Sequence, residues 1–500
     1  MELTYKNYID NEKRIIKEIE DSDFISFDLE MTGIDSDMNN SLIDTPEIRY
    51  LKYKASAEKY KIIQLGLTLF KFNSRKSYYE VSPYSFYLFP CNSFSEDNLI
   101  TCELRSLLFN RKNGIDFNNW IKNGISYLND RQYKELYRRI LDDNVNLNNE
   151  VIHINKNLDD YYECEKIIND IKTNFYNSMN ICPNYMIKNI PNFQIQYIKN
   201  QLNDNLFFQR NKLEKGGTYI FITKYKNEEE KKNLIKKDIE NNLNKLERKK
   251  GVKHLYETIL KKKKVLIGHN ISLDILFLIN SFGKTLPKTY NEFKEYISNN
   301  FELYDTKLIF NSLKDKSPIL RNVNPILEQM FPILKSLSET LYNYKIVNTK
   351  DVFENENNFH NAGFDSFITG ICFLSLKYLN TDVKFKENFK NKVFFMKSLY
   401  TCFDFLNDEI MIEQNTINYC LKAIKRTGDI QLNIIFKNSK FEKSIVKVLN
   451  CDTFNTLIIM VNKDDFLNNQ NEFENILKQK ENMKHYTIYT LEEFRKKYMK

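Results

Sequence analysis

The sequence predicts an α/β protein of two or three domains, and three observations predict it. Segments 24–30, 62–72 and 78–90 read as consecutive strands, rich in β-branched and aromatic residues and separated by turn residues. From residue 264 the apolar strand "KVLIGHN" ends in a turn and feeds the helix "SLDILFLINSF", the order expected of an α/β layer. Residues 425–500 again alternate strand and helix in a span suited to a compact accessory domain. A chain of 500 residues exceeds what one hydrophobic core organises, and its apolar (42%) and aromatic (14%) content is ample for several.

The elements follow in order. Between the first two strands lies the insertion "DSDMNNSLIDTPEIRYLKYKASAEKY", helical in its last part. Residues 101–128 carry helical periodicity around "LRSLLF" and "FNNWIKNGISYL". The Asn/Asp-rich stretch "DDNVNLNNEVIHINKNLDD" has few apolar residues and marks a boundary. Beyond it, "YYECEKIINDIKTNFYNSM" reads as a helix and "GGTYIFITKY" as a strand. The charge run "KNEEEKKNLIKKDIENNLNKLERKK" reads as a solvated helix with i,i+4 ion pairs. After residue 282, "FELYDTKLIF" reads as a strand-like piece and "HNAGFDSFITGICFLSLKYL" as a strongly apolar helix. The expected division is one α/β domain in two parts, 1–158 and 246–385, with a module inserted over 159–245. A helical linker over 386–424 and the small domain over 425–500 complete it.

Composition narrows the function classes. The formal net charge of +8 and pI near 8.7 suit an anionic partner such as nucleic acid. The eight cysteines are scattered without a C-x-x-C pair, so neither a zinc site nor a redox motif is suggested and reduced thiols are expected. The charged N-terminus has no apolar signal core, and no uncharged run approaches the roughly 18 residues of a membrane span. A soluble protein with no membrane partner is expected, in the nucleus, the cytoplasm or both. The Lys runs at 247–250 and 261–264 read as solvated or RNA-facing charge.

Chemistry concentrates on five residues. Asp28 and Glu30 stand two apart on the first strand, so both carboxylates point to one face. Asp274 opens the helix after "VLIGHN", and Asp365 sits early in "AGFDSFITG", off the apolar stripe of Phe364, Phe367 or Ile368, Ile371 and Leu374. His360 precedes Asp365 by five residues. Taken singly, an acid early in a helix is usually a capping or dipole partner, and a histidine at a helix entry is usually structural. Together, four carboxylates on one point require cations. Hard oxygen ligands suit Mg2+ or Mn2+ rather than zinc. Two such ions about 3.5–4 Å apart form the usual clamp for displacement at phosphorus, and a histidine nearby can take the proton of the attacking water.

These stretches carry a resemblance. "FDLEMTGI", "GHNISLD" and "HNAGFDSFITGICF" resemble the three exonuclease motifs of the His-bearing DEDD 3′-5′ exonucleases. With "IDTPEIRYLKYKASAEKYKIIQLGLTLFKF", "GIDFNNWIKNGISYLN" and "LYDTKLIF", the chain is similar to the poly(A)-specific branch of the CAF deadenylase family, from the N-terminus to about residue 385 with the variable 130–190 region apart. The resemblance implies an RNase H-like mixed sheet flanked by helices. It implies an inserted α/β single-strand-binding-like module of the Arg-x-x-x-His type, and a degenerate RNA-recognition-motif-like domain at the C-terminus. By position, Asp28, Glu30, Asp274 and Asp365 would hold two Mg2+ ions (or Mn2+), and His360 would be the general base. Lys307 matches a substrate-contacting lysine and Ile34 an apolar residue beside the substrate path. Met31 stands where an aromatic residue usually lies, which keeps an apolar contact and weakens base stacking. In the inserted module "PNFQIQYIKNQL" is similar to the family helix, with Ile195 and Gln196 at its basic positions. The only tryptophan, Trp120, falls outside the C-terminal domain, so cap binding in the family's manner is not expected.

The implied activity is a Mg2+-dependent 3′-5′ exoribonuclease that shortens poly(A) or oligo(A) tails of single-stranded RNA and releases 5′-AMP, in a homodimer. Two alternatives stay open: a 3′-end trimmer of small RNAs with little adenine preference, and a catalytically inactive RNA-binding scaffold.

Overall fold

The computed structural model describes residues 1–35, 40–91, 99–146, 159–176, 184–188, 191–202, 205–212, 218–341, 343–347, 359–411, 416–423, 445–451, 456–463, 471–473, 475 and 486–499. These residues divide into two units, one of Met1–Asn129 with Val252–Lys500 and one of Asp130–Gly251.

The first unit is organised by a ten-stranded mixed sheet. Its centre is the run Tyr78–Pro90, Ile62–Asn73, Phe24–Met31, Val265–Gly268 and Glu302–Asp305. The first three are antiparallel neighbours, Phe24–Met31 reaching Ile62–Asn73 through the helix Pro46–Lys59, and the last two lie parallel to Phe24–Met31. That is the RNase H-like order. Phe24–Met31 forms because it alternates apolar residues with Ser26, Asp28 and Glu30. The odd-numbered Ile25, Phe27, Leu29 and Met31 enter one core, while Asp28 and Glu30 are the strand's only half-buried positions.

The helix Ala362–Leu379 crosses the other face of the sheet. The apolar stripe expected on it is only part of the helix's burial. Every residue from Ala362 to Leu376 is buried, Asp365 included, because the helix is enclosed on more than one side. Phe364 and Phe367 meet Phe331 of the helix Leu327–Leu341. The small residues Gly363, Ser366 and Gly370 meet the sheet. A hydrophobic helix of this kind is a core element rather than an amphipathic surface one.

Two expectations change in the structure. In "FELYDTKLIF" only Glu302–Asp305 is strand. Asp305 accepts the backbone N–H groups of Lys307 and Leu308, which caps a helix over Thr306–Leu313, so Lys307 is helical. The segment 386–424, expected as a helical linker, holds three strands among its described residues, and of helix only the end of Phe385–Phe389. Lys392–Phe394 and Cys402–Asp404 extend the main sheet beyond Glu302–Asp305, and Thr416–Ala423 begins a second sheet. Alternating apolar residues such as Val393, Phe395, Phe403 and Phe405 join the core there.

The second sheet runs Ile445–Cys451, Thr456–Asn462, Thr416–Ala423 and Tyr486–Thr490, all antiparallel. The expected strand "DIQLNIIF" lies outside the described residues. On one face of this sheet Tyr419 meets Phe473. On the other, Cys420, Ile458 and Met460 pack against Leu491 and Phe494 of the helix Leu491–Tyr498, and against Ile43 and Leu399. Arg495 Nε donates to the Ile43 carbonyl at 3.0 Å. The loop carrying Ile43 is held by fully buried Arg49, which binds Asp44 (2.8 Å) and the carbonyls of Ser41, Met396 and Lys397.

The second unit, Asp130–Gly251, contains a three-stranded antiparallel sheet, ordered Asn184–Lys188, Thr218–Lys224, Leu206–Lys212. The helix Asp159–Tyr176 packs there through Cys164, Ile168 and Ile171. Helices Asp130–Asn146 and Glu228–Lys250 belong to the same unit. Among the described residues no helix is long and apolar enough to cross a membrane.

Candidate active site

Asp28 and Glu30 project from the carboxyl-terminal half of the central strand. The parallel neighbour Val265–Gly268 ends at the same edge, in register Phe24↔Val265 to Ser26↔Ile267, and its turn delivers Asp274 as the first residue of the helix Asp274–Phe282. Sites of α/β sheets gather at this edge because loops there leave a crevice beyond the strand ends.

Asp365 reaches the same point through contacts that fix its helix against the sheet. Ser26 Oγ donates to the Ser366 carbonyl (2.6 Å), and the hydroxyls of Thr68 and Ser366 lie 2.8 Å apart. Gln64 stands opposite Glu30 in the ladder, and its Oε1 accepts the Ala362 N–H at 2.9 Å. Gly66 stands opposite Asp28, and the helix entry passes directly over it. A Cβ at Gly66 would lie 1.8 Å from the Ala362 carbonyl oxygen, so only glycine lets the two backbones approach.

Donor oxygens of Asp28, Glu30 and Asp365 lie within 4.8 Å of one another. Burial raises all four carboxyls, and like charge adds to it. Asp365 and Asp274 push Asp28 and Glu30 well above the usual carboxylate range. Burial lifts Asp274 to about 7 and Asp365 to about 8. Asp365 Oδ2 accepts the His360 backbone N–H at 3.0 Å, whereas its Oδ1 is buried without a hydrogen-bond partner among the described residues. A buried, unpartnered carboxylate oxygen facing two further carboxylates is a donor set of hard oxygens that fits a divalent cation.

His360 sits just before the helix with φ 66°, a left-handed conformation held by that N–H bond and by Asn361, which caps the helix. Its Nε2 is 3.1 Å from Glu328 Oε1, and the Phe109 ring meets its ring edge-on at 4.7 Å. Lys307 is half-buried with its ammonium over the Phe394 ring at 5.3 Å. Ile34 is 44% exposed, as a surface contact requires, whereas the Met31 side chain lies in the core.

The structure brings together Asp28, Glu30, Asp365 and, through its charge, Asp274, with His360 beside Asp365. Sequence reasoning missed Gly66, Gln64, Glu328 and Asp305. Asp305 accepts backbone N–H groups of Asn270, Ile271, Lys307 and Phe394, and so ties the turn before Asp274 to the Lys307 helix. The run Gly363, Ser366, Gly370, with small residues at helical spacing in an otherwise bulky helix, was the one available sign of a close sheet contact.

A mixed sheet of this order with acids converging at one strand edge defines a nuclease class, and comparison with known proteins agrees. Residues 3–373 match the family described as CAF1 family ribonuclease. The chain therefore belongs to the CAF1 ribonuclease family, whose members are 3′-5′ exoribonucleases. It is 29% identical over 436 residues to poly(A)-specific ribonuclease PARN of Xenopus laevis, covering 79% of this chain and 67% of that protein. It is likewise 29% identical over 393 residues to the pre-piRNA 3′-exonuclease trimmer of Bombyx mori, covering 75% and 71%. Among solved structures it is similar to S. pombe Pop2p in a Mg2+- and Mn2+-bound form, at 14% identity and a TM-score of 0.35, covering 77% and 95%.

Proposed function

We propose that this exoribonuclease removes adenylates one at a time from the 3′ end of A-tailed RNA, releasing 5′-AMP. The observation that carries the reading is the convergence of Asp28, Glu30 and Asp365 within 4.8 Å, with Asp365 Oδ1 unpartnered. Asp28, Glu30, Asp274 and Asp365 would hold two Mg2+ ions, or Mn2+ in their place. When bound, such ions make water a stronger nucleophile and stabilise the leaving oxygen. His360 takes the proton from the attacking water. Lys307 supplies positive charge to the substrate and Ile34 an apolar wall. The similarity to a poly(A)-specific ribonuclease supports the choice of tail.

A second reading, general 3′ trimming with little adenine preference, is favoured by Met31. Its burial in the core leaves the position without a side chain on which adenine could stack. The similarity to a pre-piRNA trimmer, at the same percentage identity over a shorter span, supports it too.

The accessory parts complete the proposal. Residues 159–245 form a single-strand-binding-like module, and 425–500 an RNA-recognition-motif-like domain. The strand order of the second sheet supports the latter, with Thr416–Ala423, just ahead of that span, as the first strand: the second and first strands flank the third, and the fourth lies beyond the first. Trp120 is buried and donates its Nε1–H to the Leu88 carbonyl at 2.7 Å, which supports the absence of cap stacking. The protein works as a homodimer in the nucleus or cytoplasm.

The test compares the protein with its Asp28→Ala variant on 5′-labelled RNAs ending in oligo(A) or oligo(U), with Mg2+ and with EDTA. A ladder from the A-tail alone, abolished by EDTA and by the substitution, supports deadenylation. Equal trimming of both tails selects the second reading.

A further inference from the structure

We propose that Glu328 is a positioning residue for His360, binding its Nε2–H so that Nδ1 is the atom that receives the proton of the attacking water. The inference rests on the reading of His360 as general base.

The geometry assigns the tautomer. An ionised carboxylate only accepts hydrogen bonds, so the 3.1 Å contact between Glu328 Oε1 and His360 Nε2 puts the imidazole proton on Nε2. A neutral imidazole has one N–H, which leaves the Nδ1 lone pair open. The ring's orientation is fixed from two further directions. The Phe109 ring packs edge-on against it at 4.7 Å, and the backbone N–H of His360, bound to Asp365 Oδ2, holds the main chain from which the ring projects.

Glu328, its side chain partly exposed, stands on a firmly packed helix. It lies in the first turn of Leu327–Leu341, where Met330, Phe331 and Leu334 are buried against the helix that carries Asp365. Ser375 Oγ of that helix donates to the Leu334 carbonyl at 2.7 Å, inside the interface. The packed helix pair therefore carries Glu328 on one helix and His360 at the entry of the other. Glu328 also adds a like charge near Asp365, a smaller influence on that carboxyl than burial.

In the reaction the water oxygen bonds to the terminal phosphorus while its proton passes to Nδ1. The bond from phosphorus to the 3′-oxygen of the preceding nucleotide breaks, and that oxygen takes a proton from solvent. The imidazolium, positive between Nδ1–H and Nε2–H, is stabilised by the Glu328 carboxylate until it returns its proton to solvent.

The test measures kcat and KM on oligo(A)-tailed RNA for the full chain and for Glu328→Ala, Glu328→Gln, His360→Ala and the Glu328→Ala/His360→Ala double variant. Glu328→Ala is expected to lower kcat about 10–100-fold, the usual effect of a partner that orients a catalytic imidazole, with KM little changed. Glu328→Gln regains part of that loss, since its amide oxygen still accepts Nε2–H. In the His360→Ala background, removing Glu328 costs nothing further. With ring-15N histidine, the protein's five histidines allow the His360 signals to be found by their loss in His360→Ala. They report an Nε2-protonated ring whose bias disappears in Glu328→Ala. Full kcat in Glu328→Ala, an equal loss with and without His360, or an Nδ1-protonated ring overturns the inference. Full activity in His360→Ala overturns instead the general-base reading beneath it.

Discussion

Replacing Asp28 by Asn should stabilise the metal-free protein while abolishing its activity. Its carboxylate has a donor oxygen within 4.8 Å of those of Glu30 and Asp365. Two unit charges at that separation repel by about 3.5 kcal/mol at an effective dielectric of about 20. At pH 8 the Asp365 carboxyl, pushed up to about 8, is half protonated, and burial with like charge holds Asp28 and Glu30 well above the usual carboxylate range too, so bound protons already relieve part of this. The substitution should then be worth at most about 2 kcal/mol, or a few degrees at most in the midpoint of the unit that holds the site, because a unit of this size shifts by less than about 2–4 °C per kcal/mol. Mg2+ at about a hundred times its dissociation constant adds about 2.7 kcal/mol to wild type and much less to Asp28→Asn. Scanning calorimetry at pH 8, in EDTA and then in Mg2+, measures both shifts. A variant less stable than wild type in EDTA, or equal stabilisation of the two by Mg2+, would refute the placement of a cation on these carboxylates.

Three further predictions follow from the same frame. For Asp274 and Asp365 the folded protein keeps protons that the unfolded chain loses near pH 3.8, so their contribution to stability is greatest at low pH. It is lost as pH rises toward their folded values, about 7 and about 8, and then levels off; urea midpoints in EDTA should show this slope, reduced in Asp365→Asn. Gly66→Ala, whose methyl would collide with the Ala362 carbonyl, should cost about 1–3 kcal/mol by overpacking and lower kcat more than RNA affinity, because it moves Asp365 relative to Asp28. Arg49→Met should cost about 3–5 kcal/mol in a urea titration, since it leaves the buried Asp44 without its guanidinium; Lys52, 2.9 Å from Asp44, sets the lower end of that range.

Local pattern made much of the site legible. The D-x-E pair was readable because strand geometry puts alternate residues on one face, and Asp274 because an apolar strand leading into an apolar helix leaves little choice about where the turn falls. His360 and Asp365 were readable from their spacing at a helix entry. Lys307 was placed on the wrong element: "ELYD" has the apolar alternation of a strand, and the cap that Asp305 supplies to the next residues is a local hydrogen bond that alternation does not encode.

Composition and spacing by themselves singled out the candidate acids Asp28, Glu30, Asp274 and Asp365 and the kind of element on which each stands. Only the tertiary structure decided that they meet. Asp28 and Asp365 are 337 positions apart in sequence, and they converge because Gly66 lacks a side chain, Gln64 binds the Ala362 amide, and Ser26 and Thr68 bind Ser366. The pairing of Glu328 with His360 is of the same kind. It depends on how two helices pack through Phe331, Phe364 and Phe367, and contacts between distant segments leave no period in a single sequence.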